Sequence, residues 1–348
     1  MKEILPIVMT NQFVKLAVID DYISFIWTTR YYTCGDFELV VDVSYKTANL
    51  FAKDYFIIRE DDENVGIIEK IQIQKNADNQ EILVVSGRFI SSIIGRRIIS
   101  TQTVVNGTIS NCINTLLNNE IISPAISARQ ISNFVLGSYN IPETMQAQYT
   151  GDNLLEQICE ICQTYGIGFK VILNDQNQFV FSLFEGTDRS YDQSVNPYVV
   201  FSDEYDNLLS SQYEEDYQEI VTDVLVAGEG EGLDRKTLWV SEENNSGLNR
   251  YEMYKDQRNL QTNDGEITDA EYEAQMQESG KESITSITTA FTGTVYFGNV
   301  EWKQDVNIGD ICVIENKRWG IYINSRLIEV IESMSEAGEY SIVPTFGI

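Results

Sequence analysis

Apolar and polar positions alternate with a period of two along most of the first 90 residues. FVKLAVID, ISFIWTTRYY, DFELVVDV, DYFIIRE, VGIIEKIQIQK and EILVVSGRFI are rich in β-branched and aromatic side chains, and CGD, EDDEN and NADNQ separate several of them. Period two sends successive side chains to opposite faces of a sheet, and short polar breaks of this kind bound strands. The stretch therefore predicts strands with one buried face. IIEKIQIQKNADNQEILVVSG predicts a hairpin. The acidic run Glu60 to Glu63 lies between two strand patterns and predicts a solvated turn rather than a calcium loop.

The period then lengthens. TISNCINTLLNNEI and DNLLEQICEICQTYG carry apolar residues three and four apart, which is the stripe of a helix. Asp152 is the expected cap of the second helix, from about Asn153 to Tyr165, and Gly-Ile-Gly ends it. IGFKVILND and QFVFSLFE follow as two strands joined through DQNQ. Strands resume near Tyr198 with YVVFS and SQYEEDYQEIVTDVLVAGEG. Residues 241–265 are polar and turn-rich, and ITDAEYEAQMQESGKESI predicts a helix capped by Thr268 or Asp269. FTGTVYFG, GDICVIEN, RWGIYINSRLIEVIES and EYSIVPTFGI close the chain as strands. The predicted class is α+β and β-rich, with two β-rich parts flanking an α/β part.

Charge narrows the function. Among 348 residues there are 53 Asp and Glu against 24 Lys and Arg, a net charge of −29. That balance repels nucleic-acid phosphate and argues against a DNA- or RNA-binding role. It suits solubility, and equally a pore that DNA must traverse without sticking. Histidine is absent. Ser-His-Asp and Cys-His activation and His-ligated zinc are excluded with it. No apolar run approaches the roughly 20 residues of a membrane helix. MKEILPIVMTNQ has no basic segment followed by an apolar one, so no secretory signal is read and folding is expected in the cytoplasm of the producing cell.

Three motifs suggest chemistry and each has a plainer explanation. Cys159 and Cys162 form a C-x-x-C, but they sit in the second half of an apolar helical stripe. A redox pair opens a helix, where the dipole lowers the thiol pKa; these two are expected to be buried core residues. Gly228, Gly230 and Gly232 resemble a phosphate loop, yet Glu229 and Glu231 lie between them and would repel phosphate. They are expected to give flexible backbone at a strand end. Leu260 to Glu271 echoes a calcium loop only at Gly265 and Glu271, because Leu260 and Thr262 stand where such a loop uses carboxylates.

Specific residues carry a further likeness. In ISFIWTTRYYTCGDFELVV, residues 23–41, Trp27, Arg30 and Tyr31 spell W-x-x-R-Y, and Gly35, Phe37, Glu38 and Leu39 spell G-x-F-E-L. FSDEYDNLLSSQYEEDYQEIVTDVLVAGEGEGLDR contains Gly228, Gly230 and Gly232. Tyr272, Met276 and Gly280 form Y-x-x-x-M-x-x-x-G, and Val306, Gly309 and Asp310 form V-x-x-G-D ahead of WGIYINSRLIEV and a closing FG. In this order, over the whole chain, the set resembles a siphophage tail-hub family. That family is related in fold to contractile baseplate hubs and to the N-terminal part of siphophage tail-associated proteins.

The resemblance implies a trimer in which each subunit supplies two β-barrel-like domains of tail-tube type, so that three subunits continue a hexameric tail tube. It implies a first barrel-like domain at 1–92, with strands from 198–230 available to complete it. It further implies an α/β insertion domain at 93–197 and a second barrel-like domain at 198–348 carrying a helical insertion around 241–290. Trp27 and Phe37 are then expected on the inner face of the first barrel, with Gly35 in the turn between their strands. The implied partners are the other two subunits, the distal tail and tail-tube proteins, the tape-measure protein, and tail-fibre or receptor-binding proteins. DNA would pass without specific binding. No cofactor, metal or catalysis is implied, and the location is the virion tail tip, assembled in the host cytoplasm. Two other classes fit the residues: a carboxylate-based hydrolase of cell-wall glycan, and a receptor- or carbohydrate-binding module built on the 19 Tyr and four Trp. The closing strands end at Ile348, where no enzyme or receptor domain is expected to follow.

Overall fold

The computed structural model describes residues 4–75, 80–262, 267–285, 288–295 and 300–347. A ten-stranded sheet joins the two ends of the chain. Its main path runs through Leu208–Asp216, Thr288–Val295, Tyr340–Gly347, Ile321–Ser335, Ser24–Arg30, Asp36–Asp42, Glu81–Arg88 and Lys70–Lys75. The 15-residue strand Ile321–Ser335 is the hinge of this layout. Its first half pairs with Ile311–Asn316, its second half pairs with Ser24–Arg30, and its register against Tyr340–Gly347 shifts between Leu327 and Glu329. A bulge there bends the strand and adds twist, so one strand serves two differently oriented layers.

A four-stranded sheet, Lys15–Val18, Ile7–Met9, Phe56–Ile58 and Val65–Ile67, covers the N-terminal half of the large sheet. Val8 and Ile57 from the small sheet meet Phe25, Trp27, Phe37, Leu39, Leu83 and Val85 from the large one, all buried. The period-two pattern of the sequence is thus realised as two layers packed face to face. Residues 90–184 build a second core around the helices Ile109–Leu117 and Leu154–Thr164 and the antiparallel pair Gly168–Leu173 and Phe179–Phe184, and Met9, Phe56, Val65 and Ile67 of the small sheet pack into it. A third small layer sets Asp223–Ala227, between Thr237–Ser241 and Glu252–Asp256, against the helix Asp269–Lys281. The fold is β-rich α+β, with several sheets and few helices. Among the described residues no sheet closes into a barrel; the main path ends in free edges. No helix among them is long and apolar enough to cross a membrane.

Two local expectations change. Asp152 does not cap the helix Leu154–Thr164. Asn153 does, its Oδ1 accepting from the amides of Leu155 at 3.0 Å and Glu156 at 3.4 Å, while Asp152 turns back to accept from Thr150. Either side chain can cap; the one immediately before the first helical residue has the geometry. The later helix is capped by Thr268, whose hydroxyl and the Glu271 carboxylate form a reciprocal box. Glu271 is thereby occupied in the stretch that echoed a calcium loop, and Gly265 of that stretch lies outside the described residues, as does the hairpin turn at 76–79.

Candidate assembly interface and its supporting junction

Strand alternation sends Trp27 and Phe37 to the covered face of the large sheet, where they are 0% and 2% exposed. Phe37 packs on Gly66, where an added Cβ would fall 2.4 Å from its ring. Gly35 needs its missing Cβ as well, since one built there would lie 2.1 Å from the Thr28 carbonyl oxygen. Leu39 is fully buried in the same layer. Arg30, at the rim, pairs with Asp36 and holds Glu329 at 2.6 Å.

Beneath Trp27 lies a buried charge network. Its indole N–H donates to Asp62 Oδ2 at 3.1 Å. Asp62 takes Lys303 Nζ at 2.6 Å, and Lys303 reaches Glu332 at 3.2 Å. Glu332 stands directly across the strand pair from Trp27 and accepts from Arg59 Nη1 at 3.1 Å and from Tyr340 at 2.7 Å. Arg59 also grips Asp61 and stacks 5.6 Å from the Trp27 ring centre. Burial alone would raise the Glu332 carboxyl; the charges of Arg59 and Lys303 outweigh it and hold it down at about 2. The acidic run is a turn with Glu60, Asp61 and Glu63 exposed, as its position suggested; Asp62 is the exception, its side chain 1% exposed. Asp62 was visible only as a member of the acidic run, and Arg59, Lys303 and Glu332 were not singled out in the sequence. One signal was readable: Glu332 sits in the apolar phase of its strand, between buried Val330 and Met334.

Tyr31, fully buried, ties distant segments together. Its hydroxyl contacts the carbonyls of Gly166 at 3.1 Å and Phe184 at 3.3 Å and accepts from the Gly186 amide at 3.2 Å. Its ring lies where a Cβ on Gly309 would be, 2.2 Å away, and Gly309 has φ +91°. Next to it, buried Asp310 accepts from the Thr187 amide and from Arg189 Nε, both at 2.7 Å. The two ends of the hub-like pattern, Tyr31 and Gly309–Asp310, thus meet at one junction. A cavity of about 440 Å³ opens beside it, bordered by Arg30, Asp62, Lys170, Phe184, Trp302 and Asp310.

The glycine trio lies elsewhere. Gly228 abuts the Tyr272 hydroxyl, which accepts from the Glu229 amide at 2.8 Å, while Gly230 and Gly232 have φ of +94° and +57°. The Glu229 carboxylate receives Thr262 and Lys236. Cys162 is fully buried and Cys159 partly so. Burial pushes the Cys159 thiol up to about 12 and that of Cys162 well above its ordinary value, opposite to an activated pair. Replacing both by alanine is expected to lower stability by about 1–3 kcal/mol through lost burial and small cavities, measured by urea unfolding. Unchanged stability would show that the two are not core residues.

The large sheet leaves apolar surface at one free edge. Ile71 and Ile73 of Lys70–Lys75 pair with buried Val85 and Leu83 and so share their face. Yet they are 42% and 58% exposed. The core face of the sheet runs on past its cover. On the edge strand of the small sheet, Leu16 and Val18, with Val14 just before it, form a second exposed stripe.

The chain matches no curated protein. The sequence profile of the family described as Siphovirus ReqiPepy6 Gp37-like protein matches residues 7–348. Among solved structures, the fold is similar to a tail protein from Neisseria meningitidis MC58, with TM-score 0.58 at 14% identity over 100% of this chain and 97% of that one. The 43 kDa tail protein of prophage MuSo2 from Shewanella oneidensis gives TM-score 0.56 at 12% identity, over 99% and 98% of the two chains. The prophage tail protein gp18 from Listeria monocytogenes EGD-e gives 0.53 at 13% identity, over 99% and 94%.

Proposed function

The chain belongs to the Siphovirus ReqiPepy6 Gp37-like family, a family of phage tail proteins, and from that premise we propose that it is a baseplate-hub subunit that trimerises into a ring around the path of the DNA. The observation that carries this reading is the uncovered edge of the large sheet. A strand edge with apolar side chains still exposed on its core side is a template for another strand. The opposite edge, Leu208–Asp216, differs from it, so joining one to the other is a head-to-tail contact, and such contacts close into rings when the rotation permits. In this reading 1–92 and 198–348 supply the two tube-type domains, 93–197 is an insertion, and the motif residues from Trp27 to Asp310 brace the subunit. The distal tail, tail-tube and tape-measure proteins are the proposed neighbours, and the role is structural.

Light scattering at micromolar concentration, alone and with the tail-tube protein, is expected to give about three times the monomer mass. Ile71→Lys together with Ile73→Lys is expected to abolish the trimer while leaving the monomer folded, since both side chains are already in water there. A monomer that persists beside its tail-tube partner overturns the reading.

The ring also orients charge. The strand Asp36–Asp42 shows Glu38 and Asp42 on the face opposite the core, both exposed. With this face on the channel, carboxylates repel the phosphates of passing DNA, and a concave ring strengthens that field. Glu38→Lys with Asp42→Lys is expected to preserve assembly and slow DNA ejection, an effect that added salt reduces by screening. Unchanged ejection at low salt would remove this face from the channel.

A further inference from the structure

The helix Asp269–Lys281 packs against the strand Thr144–Tyr149. Between them is a cavity of about 220 Å³, room for about seven waters. Its wall is polar and incompletely paired. Gln275 is 1% exposed, and among the described residues neither its amide nitrogen nor its oxygen has a hydrogen-bond partner. Gln148 Nε2 and Ser279 Oγ are likewise buried without one. Each such group costs free energy unless water enters. The contact is therefore easily wetted.

Glu282, just past the helix, reaches into this cavity with a side chain 6% exposed. Tyr149 donates to it at 3.1 Å from the strand. Lys255, from the strand Glu252–Asp256, stands 3.5 Å away and gives its better hydrogen bond, at 2.8 Å, to the Ser279 carbonyl. The other charged groups facing the cavity are Asp152, in the turn before the helix Leu154–Thr164, and Glu160 on that helix. Glu278, one turn earlier on the path to Glu282, is buried and accepts from Tyr165. Carboxylates from three elements thus gather around one ammonium.

We propose that Glu282 is a proton-operated latch: neutral, it holds the helix Asp269–Lys281 on the strand Thr144–Tyr149, and on losing its proton to solvent it draws water into the cavity and loosens that contact. Burial first, and then the charges of Glu160 and Glu278, push its carboxyl up to about 7 against the pull of Lys255 and Tyr149. The folded value lies above the ordinary 4.5. The contact is accordingly fully stabilised below pH 4.5 and weakens as pH rises through 7. The inference rests on the geometry of one subunit and is independent of the hub reading.

The test is amide hydrogen exchange of the full chain, corrected for intrinsic rates. Between pH 5.5 and 8.5, exchange in 144–149 and 269–282 is expected to speed up about 10- to 100-fold. Glu282→Gln keeps the shape without the titration and should make both segments equally protected at the two pH values. Glutamate-selective carboxyl NMR should show one midpoint near 7, absent in that variant. Lys255→Met removes the opposing charge and should move the midpoint up, a readout that stands even if the first variant folds poorly. PH-dependent exchange that persists in Glu282→Gln, or a wild-type spectrum with no glutamate titrating above pH 6, overturns the proposal.

Discussion

Replacing Trp27 by alanine is expected to lower stability by about 3–5 kcal/mol, the usual cost of emptying a large buried aromatic site. The indole is surrounded by Phe25, Phe37 and Phe89, with ring centres 5.6, 6.1 and 4.5 Å away. Phe25 and Phe37 sit in strands fixed by their own ladders, and Phe89 is held by a bridge to Gly66, so these rings cannot readily collapse into the space. The loss has a second part, because Asp62 would keep Lys303 and lose the indole donor. Trp27→Phe separates the two contributions: it retains a ring, sacrifices the hydrogen bond, and is expected to cost less than the alanine. Urea unfolding at pH 7 measures both, with an unchanged slope showing that the folded state is intact. A Trp27→Ala protein of normal stability that fails to join tails would make the tryptophan an interface anchor instead.

The elements whose position depends on local pattern were legible. ISFIWTTRYY and DFELVV appear as Ser24–Arg30 and Asp36–Asp42, and the ICEIC stripe appears as the helix Leu154–Thr164. Period alone does not say which strand lies beside which. Ser24–Arg30 pairs with residues about 300 positions later, and nothing within either segment encodes that meeting. The charge network was hidden for the same reason: Glu332 stands out by its apolar strand phase, but its partners Arg59, Asp62 and Lys303 are ordinary surface-type residues until the fold stacks them under Trp27. Tyr31 and Gly309 show the complementary case. Each was visible as part of an ordered pattern, but the reason for the glycine, a ring occupying the place of its Cβ, exists only once both are assembled.

Arg59→Met is expected to cost about 3–5 kcal/mol at pH 7, comparable to the loss of Trp27, because it leaves buried carboxylates without their main counter-charge. The Arg59 and Glu332 side chains are 0% and 1% exposed, so water cannot take over from the guanidinium. Lys303 remains as the partial substitute. Glu332→Gln tests the same network through pH. Its carboxyl titrates at about 2 in the folded chain against an ordinary 4.5. The stabilisation it provides is fully present above pH 4.5 and disappears as pH falls through 2, amounting to about 3 kcal/mol at most. Glu332→Gln should therefore flatten the acid limb of the stability curve in that window. The window lies below the one assigned to Glu282, where stability falls as pH rises from 4.5 through 7, so the two residues bend opposite limbs and can be scored in a single titration. In the double variant the losses should not add, since each change removes the same ion pair. Additive losses in that cycle, or an acid limb unchanged in Glu332→Gln, would show that the buried charges act independently and that the network does not hold the two sheets together.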